Sequence, residues 1–145
     1  MIKLLEIQKS NTDIEVSITP EVQTYNIVSG LMSDDCKPYQ VAEDVMIWFS
    51  PTGFLGELEA IYPFTVDNFP CQYVKELHIQ DGFPRFEVIT CDNEGVIQPI
   101  DDGFIVWLKK EKMVNLQVEF KNVQFLFDQD ELVAIVAHQT SIVEY

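Results

Sequence analysis

The groups of this 145-residue chain that could do more than stay solvated are two histidines, three cysteines and 24 carboxylates. His78, in "KELHIQDG", lies on the polar phase of an alternating run, with Glu76 on the same face and Asp81 nearby. That arrangement suits an imidazole oriented by a carboxylate at the mouth of a barrel or pocket, as in a small enzyme or ligand carrier. His138 follows the apolar "LVAIVA". Hydrolysis needs a nucleophile, a base and an orienting acid converging in one cleft. Nothing in the local sequence pairs either histidine with Cys36, Cys71, Ser50 or Ser141, so no catalytic residue is assigned.

Cys36, Cys71 and Cys91 are widely spaced, form no C-x-x-C pair and read as free thiols. Cys91, closing the run "FEVITC", reads as a small buried hydrophobe. Asp128, Asp130 and Glu131 are close enough to share a calcium ion, and Asp92-Asn93-Glu94 and Asp101-Asp102 offer further oxygens. An EF-hand loop, however, needs acids at several fixed positions, a central Gly and a terminal Glu, whereas "DQDELVAIVAHQ" turns apolar after its fourth residue. These acids read as solvated turn residues, and the expectation is no metal. No cofactor is expected either, since the six glycines never cluster into a phosphate-binding loop.

Charge is the strongest compositional signal. Nine basic residues against 24 acidic ones give a formal net charge of -15. Nucleic-acid affinity rests on Lys and Arg neutralising phosphates, and this chain has one arginine, Arg85, so nucleic acid is excluded as a partner. An anionic membrane surface is disfavoured for the same reason. A basic protein partner, drawn in by long-range attraction, is favoured. "MIKLLEIQKS" is too short an apolar run for a signal peptide, and no stretch approaches the roughly 20 apolar residues that span a bilayer, so a cytoplasmic location is expected.

Positioning any of these groups falls to strands. With 47 % hydrophobic and 23 % charged residues, the chain reads as one globular domain over residues 1–145. Apolar and polar residues alternate from end to end, the period-two signature of a half-buried strand. "DIEVSITPEV" puts Ile14, Val16 and Ile18 on one face. "VNLQVEFKNVQFLF" points Leu116, Val118 and Phe120 inward, then Val123, Phe125 and Phe127 after a change of phase at Lys121-Asn122. A one-residue slip turns every side chain to the other face, so that change predicts a hairpin corner. Further strands are predicted over Ile2–Ile7, Val22–Val28, Val45–Phe49, Leu55–Ile61, Tyr73–Ile79, Arg85–Cys91, Phe104–Lys109, Leu132–Ala137 and Ser141–Glu144, with Pro, Gly, Asn or Asp between them. "YQVAEDVM" and "VDNFPCQYVKEL" offer two short helices, and Ser29–Asp44 reads as a long loop or short helix. The fold class is all-β and mainly antiparallel, a sandwich or rolled sheet with at most one or two short helices. No composition shift or abrupt charge change marks a boundary.

One phrase occurs twice. Aligning Phe49 with Phe127 sets "SPTGFLGELEAI" on "DQDELVAIVA", each an apolar strand, a polar turn and an apolar strand. Gly53 suits a tight reversal, and Glu131 in its place implies a different turn in the second copy. Both copies resemble the hairpin of a group of small bacterial domains of unknown function, whose signature is Asp-x-Asp-Gly-x-Leu-x-Gly-Ile-Glu after an apolar strand. Gly53, Leu55, Leu58 and Glu59 match it, while Ser50 and Thr52 stand where acids are usual. The resemblance covers about a dozen residues each time and implies β structure and a bacterial source, with no activity attached.

Among the aromatics, Trp48 and Trp107 are expected to pack in the core or on a sheet face, and Tyr62, Pro63 and Phe64 to be exposed. The first functional expectation is therefore a non-enzymatic interaction module, immunity- or antitoxin-like, that masks a basic protein. It would use an acidic patch near Asp34, Asp35, Glu43, Asp44, Glu57 and Glu59, with aromatics supplying buried contact area. The alternatives are a self-associating homodimer and an enzyme or carrier built on His78.

Overall fold

The computed structural model describes residues 1–144 as fourteen strands. These are β1 (Ile2–Gln8), β2 (Ile14–Thr19), β3 (Thr24–Ser29), β4 (Lys37–Ala42), β5 (Val45–Phe49), β6 (Leu55–Ile61), β7 (Gln72–Asp81), β8 (Phe83–Val88), β9 (Val96–Ile100), β10 (Gly103–Trp107), β11 (Met113–Phe120), β12 (Val123–Asp128), β13 (Glu131–Ala137) and β14 (Ser141–Ile142). The helical content among the described residues is one 3-10 turn at Pro20–Val22. None of it is long and apolar enough to cross a membrane.

The strands form two sheets packed face to face. Sheet B has the order β14-β2-β3-β6-β5-β4, and sheet A runs β7-β11-β12-β13-β1-β8. Sheet A forks at β13, whose C-terminal half pairs with β10 at Ala134–Ala137 while Glu131 meets Lys3 of β1. Pairing is antiparallel except for β7 with β11 and β14 with β2. β1 lies in sheet A ahead of five consecutive strands of sheet B, and β14 returns to sheet B at the end. Each sheet thus needs the far part of the chain to be complete.

Period-two alternation explains the core between the sheets. Sheet B supplies Val16, Ile27, Val45, Ile47, Phe49 and Leu58, and sheet A supplies Phe83, Phe86, Phe104, Val118, Phe125 and Phe127, among others. The Lys121-Asn122 phase change is a hairpin turn between β11 and β12, with Phe120 opposite Val123, and Lys121 has φ 52. A second apolar cluster covers the outer face of sheet A. There Trp107, Val114, Leu126 and Val133 pack under Phe69 and Cys71 of the segment crossing from sheet B, with Phe69 stacked on Trp107 at 5.1 Å. Trp48 is half-buried on the outer face of sheet B.

Several expectations are corrected. Ser29–Asp44 is neither a long loop nor a helix, because Lys37–Ala42 forms the edge strand β4 and pairs with β5. "YQVAEDVM" is the β4–β5 hairpin, and "VDNFPCQYVKEL" is an irregular strap leading into β7. β9 went unpredicted. Cys91 is exposed rather than buried because β8 ends at Val88, three residues before it. Pro63 is buried, whereas its neighbours Tyr62 and Phe64 are exposed.

The two look-alike phrases are both hairpins, one in each sheet. The first, β5 to β6, turns through Ser50–Gly53. The Ser50 Oγ accepts from the Phe54 N–H at 3.0 Å, and Gly53 adopts φ 100 with room for no Cβ, since one built there would lie 2.3 Å from the Phe86 carbonyl oxygen. The second, β12 to β13, reverses through Gln129 at φ 57. The first tip docks on sheet A, with Phe54 bridging Arg85 and stacking on Phe83 at 5.4 Å.

Candidate functional site

The outer face of sheet B carries Glu15, Glu57 and Glu59. Strand register sets Glu15, Val28, Glu57, Trp48 and Pro38 in one row across the sheet, and Ser17, Asn26, Glu59, Met46 and Gln40 in the next. Three carboxylates stand in these rows with no Lys or Arg among them. Asn26 Nδ2 donates to Glu57 Oε2 at 3.2 Å and to Glu59 Oε2 at 3.5 Å. Burial pushes the Glu57 carboxyl above the ordinary carboxylate range, the neighbouring Glu59 charge adds to the rise, and the Asn26 hydrogen bond opposes it.

Beyond the second row, Thr24 pairs with Ile61, and the chain leaves the sheet through Tyr62 to Phe64. Ile61 is 45 %, Tyr62 57 % and Phe64 78 % exposed. This apolar projection is anchored at its base. The Ile61 N–H donates to the Asp44 carbonyl at 3.1 Å and the Tyr62 N–H to the Gln23 carbonyl at 2.9 Å, with Tyr62 in the left-handed region at φ 48. Such a backbone is unusual for an aromatic residue and is held by those two contacts.

Glu43 and Asp44 sit in the β4–β5 turn at this same end, and Glu59 is the nearest carboxylate on the face. Three of the six expected patch residues, Glu43, Asp44 and Glu59, are thereby brought to one end of sheet B, and Glu57, opposite Trp48, lies on the same face two residues along β6 toward the other end. Asp34 and Asp35 are not. They lie in the turn before β4, across the length of the five-residue β5, roughly 17 Å away. Glu15 and Glu21 belong with the patch and were missed, Glu21 lying in the 3-10 turn next to Gln23. A signal for both was present, because Ser10–Cys71 contains ten acidic residues and a single cation, Lys37. This asymmetry, absent from the expectation of even charge, becomes a one-sided surface because that stretch builds sheet B.

The His78 constellation does not assemble. His78 is exposed on β7 beside a wide, open depression lined by Asn115, Leu116, Gln129 and Asp130. Among the described residues it makes no hydrogen bond or ion pair with Glu76 or Asp81. A register break between Tyr73 and His78 places Glu76 within the irregular part of the β7–β11 pairing. His138 is the histidine that gains a carboxylate, its Nδ1 lying 3.0 Å from Asp102 Oδ1, and this contact holds the Asp102 carboxyl below its usual range. No Ser or Cys side chain hydrogen-bonds to it among the described residues, so the pair joins the β9–β10 turn to the end of β13.

The turn acids have separate partners. Asp128 Oδ2 accepts from the Met113 N–H at 3.1 Å, Asp130 faces Lys3 at 3.9 Å, and Glu131 pairs with Lys112 at 2.8 Å. Among the described residues, no group of three or more His, Cys, Asp or Glu converges on a point suited to a metal ion. Cys71 is half-buried with its thiol pushed up by burial, which disfavours the reactive thiolate.

Fold and surface together define a two-sheet, all-β protein in which the segment that builds most of sheet B carries ten acidic residues and one cation. No family model matches the chain, and no curated protein matches it either.

The raised Glu57 carboxyl gives a first expected result. When the folded pKa lies above the unfolded one, the charged form opposes folding at neutral pH, and the penalty disappears once both states are protonated. Glu57→Gln therefore raises the thermal midpoint at pH 7 and leaves it unchanged below about pH 4. Melting curves at the two pH values check this, and an equal gain at both would point to packing instead.

Proposed function

We propose that this chain is a non-enzymatic, acidic interaction module, bacterial and cytoplasmic, that masks a basic protein in the manner of an immunity or antitoxin protein. The observation that carries this reading is the exposure of Ile61, Tyr62 and Phe64 at the end of a sheet face bearing Glu57 and Glu59 without a cation. Aromatic side chains that protrude into water beside uncompensated carboxylates combine the two requirements of a charged interface. The charges steer encounter, and the aromatics supply desolvated contact area. Glu57 also supports it, since a carboxylate that weakens the fold at neutral pH is a cost that partner binding offsets. The two hairpins' resemblance to small bacterial domains of unknown function is in keeping with the proposed source and brings no activity.

The test is capture at low salt, identification of the bound protein, and measurement of its association rate against ionic strength. Screening shortens the Debye length from about 10 Å at 0.1 M to about 3 Å at 1 M. The association rate is expected to fall at least about tenfold across that range, with the dissociation rate little changed. A rate indifferent to salt removes the steering argument, and a partner that is not basic removes the proposal.

Self-association is the second reading, favoured by the outer edge of β7, whose Tyr73 and Ile79 are exposed and which among the described residues pairs with β11 alone. The -15 charge opposes it. Light scattering at micromolar concentration decides, and a monomeric mass eliminates it.

A further inference from the structure

The corner at Ser50–Gly53 contains a cleft with two cations on its lining. β8 ends one arm of sheet A and β4 ends sheet B. β8 is tied to the β5–β6 turn of sheet B by the Phe86 N–H donating to the Gly53 carbonyl at 2.8 Å. Beyond the end of β8, Asn93 donates to the Val41 carbonyl from its backbone and its side chain, at 3.1 and 2.8 Å. Beside the first tie lies an open cleft of about 330 Å³. Its floor is apolar and built from Tyr39, Phe49 and Phe86, with ring centroids 5.9 and 5.6 Å apart along the row. A bulge in β1 at Leu5 brings that side chain to its wall.

Its rim holds Lys37 and the chain's single arginine. Lys37 is in no ion pair among the described residues, and its ammonium lies 5.3 Å from the Tyr39 ring centroid. Arg85 donates from Nε to Glu6 Oε1 at 3.1 Å and from Nη1 to the Thr52 carbonyl at 3.3 Å, which leaves Nη2 without a protein acceptor among the described residues. Glu87 is also on the rim and stands opposite Lys3 in the β1–β8 register, although the Lys3 ammonium faces Asp130. The Ile89 N–H donates to Met1 of the β1 side, so strand alternation turns the Val88 N–H the other way, with that of Phe86, toward the cleft.

We propose that this cleft binds a small carboxylic acid with an apolar, ring-sized body. The ring rests on Tyr39, Phe49 and Phe86, and the carboxylate is held by Lys37, the free Nη2 of Arg85 and the Val88 N–H. Charge-assisted bonds of this kind are the strong class, and Glu6 fixes the guanidinium beforehand. A volume near the lower limit of the roughly 300–1,000 Å³ typical of ligand clefts matches a single ring with a short acid arm. The site shares no residue with the acidic end of sheet B, so the two proposals stand or fall separately.

The single arginine is its own reporter, giving one Nε–Hε resonance in a ¹H–¹⁵N spectrum. Titration with phenylacetate is expected to move that resonance and the Val88 amide along saturable curves, while phenylacetamide, which lacks the charge, leaves them in place. Lys37→Gln, at an exposed position, should weaken phenylacetate binding about fivefold or more. No movement up to about 10 mM phenylacetate, where a millimolar site is largely filled, overturns the proposal. So does an equal response to the amide, or a Lys37→Gln variant that binds as the parent does.

Discussion

Phe86→Ala is expected to lower the thermal midpoint by roughly 10–20 °C, because this ring packs against both sheets. Phe86 belongs to β8 of sheet A and is 4 % exposed. Its ring meets Phe49 of sheet B at 5.6 Å, and Phe125 and Phe127 of its own sheet at 5.8 and 6.0 Å. Truncation removes about 3–5 kcal/mol of transfer and packing energy. Against a total of about 5–15 kcal/mol, that is a large share. The rigid edges of β8 and the Gly53 turn limit collapse around the hole. Phe86→Leu keeps most of the volume and should cost less than about 1.5 kcal/mol. Phe64→Ala, at a ring left 78 % exposed, should stay within about 0.5 kcal/mol of the parent. Urea and thermal melts of the three variants test the ranking. An alanine variant melting within about 3 °C of the parent would show that the packing of Phe86 carries little of the stability.

How much of this was legible in the sequence depends on where each strand lies. Val45–Phe49 and Leu55–Ile61 match the observed bounds, the first because it is a short apolar run set between the Glu43-Asp44 and Ser50–Gly53 turns, the second because Glu57 and Glu59 alternate with Leu58 and Ala60. β4 and β9 were hidden by Pro38 and Pro99, since a proline normally demotes a strand reading. Each lies at a sheet edge, where a missing N–H is tolerated. Pro84 on β8, another edge strand, delayed the predicted start to Arg85 for the same reason. β7 was legible as a strand, but its register break was not, as it depends on β11, some forty residues later.

The acidic surface was partly legible because charge is a property of composition, and the exposed pair Tyr62 and Phe64 because aromatics beside a turn seldom find cover. That Asp34 and Asp35 fall at the opposite end from Glu43 and Asp44 follows from the β4–β5 hairpin, which the missed strand concealed. The cleft was not legible at all. Leu5, Lys37, Phe49 and Val88 come from four stretches of chain that meet only when the edges of the two sheets are brought together.

The second large effect is expected from Tyr62→Ala with Phe64→Ala, which together should weaken binding of the captured basic partner about 100-fold or more. Buried aromatic anchors at the centre of an interface cost about 2–4 kcal/mol each when truncated, while rim charges act chiefly on the rate of encounter. The aromatic pair is therefore expected to raise the dissociation rate, and Glu43→Gln with Asp44→Asn to lower the association rate. The fold should be unaffected by the aromatic pair, since both rings project from the surface and the anchoring contacts at Ile61 and Tyr62 are made by backbone. Tyr62→Gly is the control for conformation. It removes the ring while suiting the φ of 48, so loss of affinity in both the glycine and alanine variants assigns the effect to the side chain rather than to the strained backbone. Affinity kept within about threefold in the double variant would mean that the partner binds elsewhere, and the acidic face would then need a different anchor.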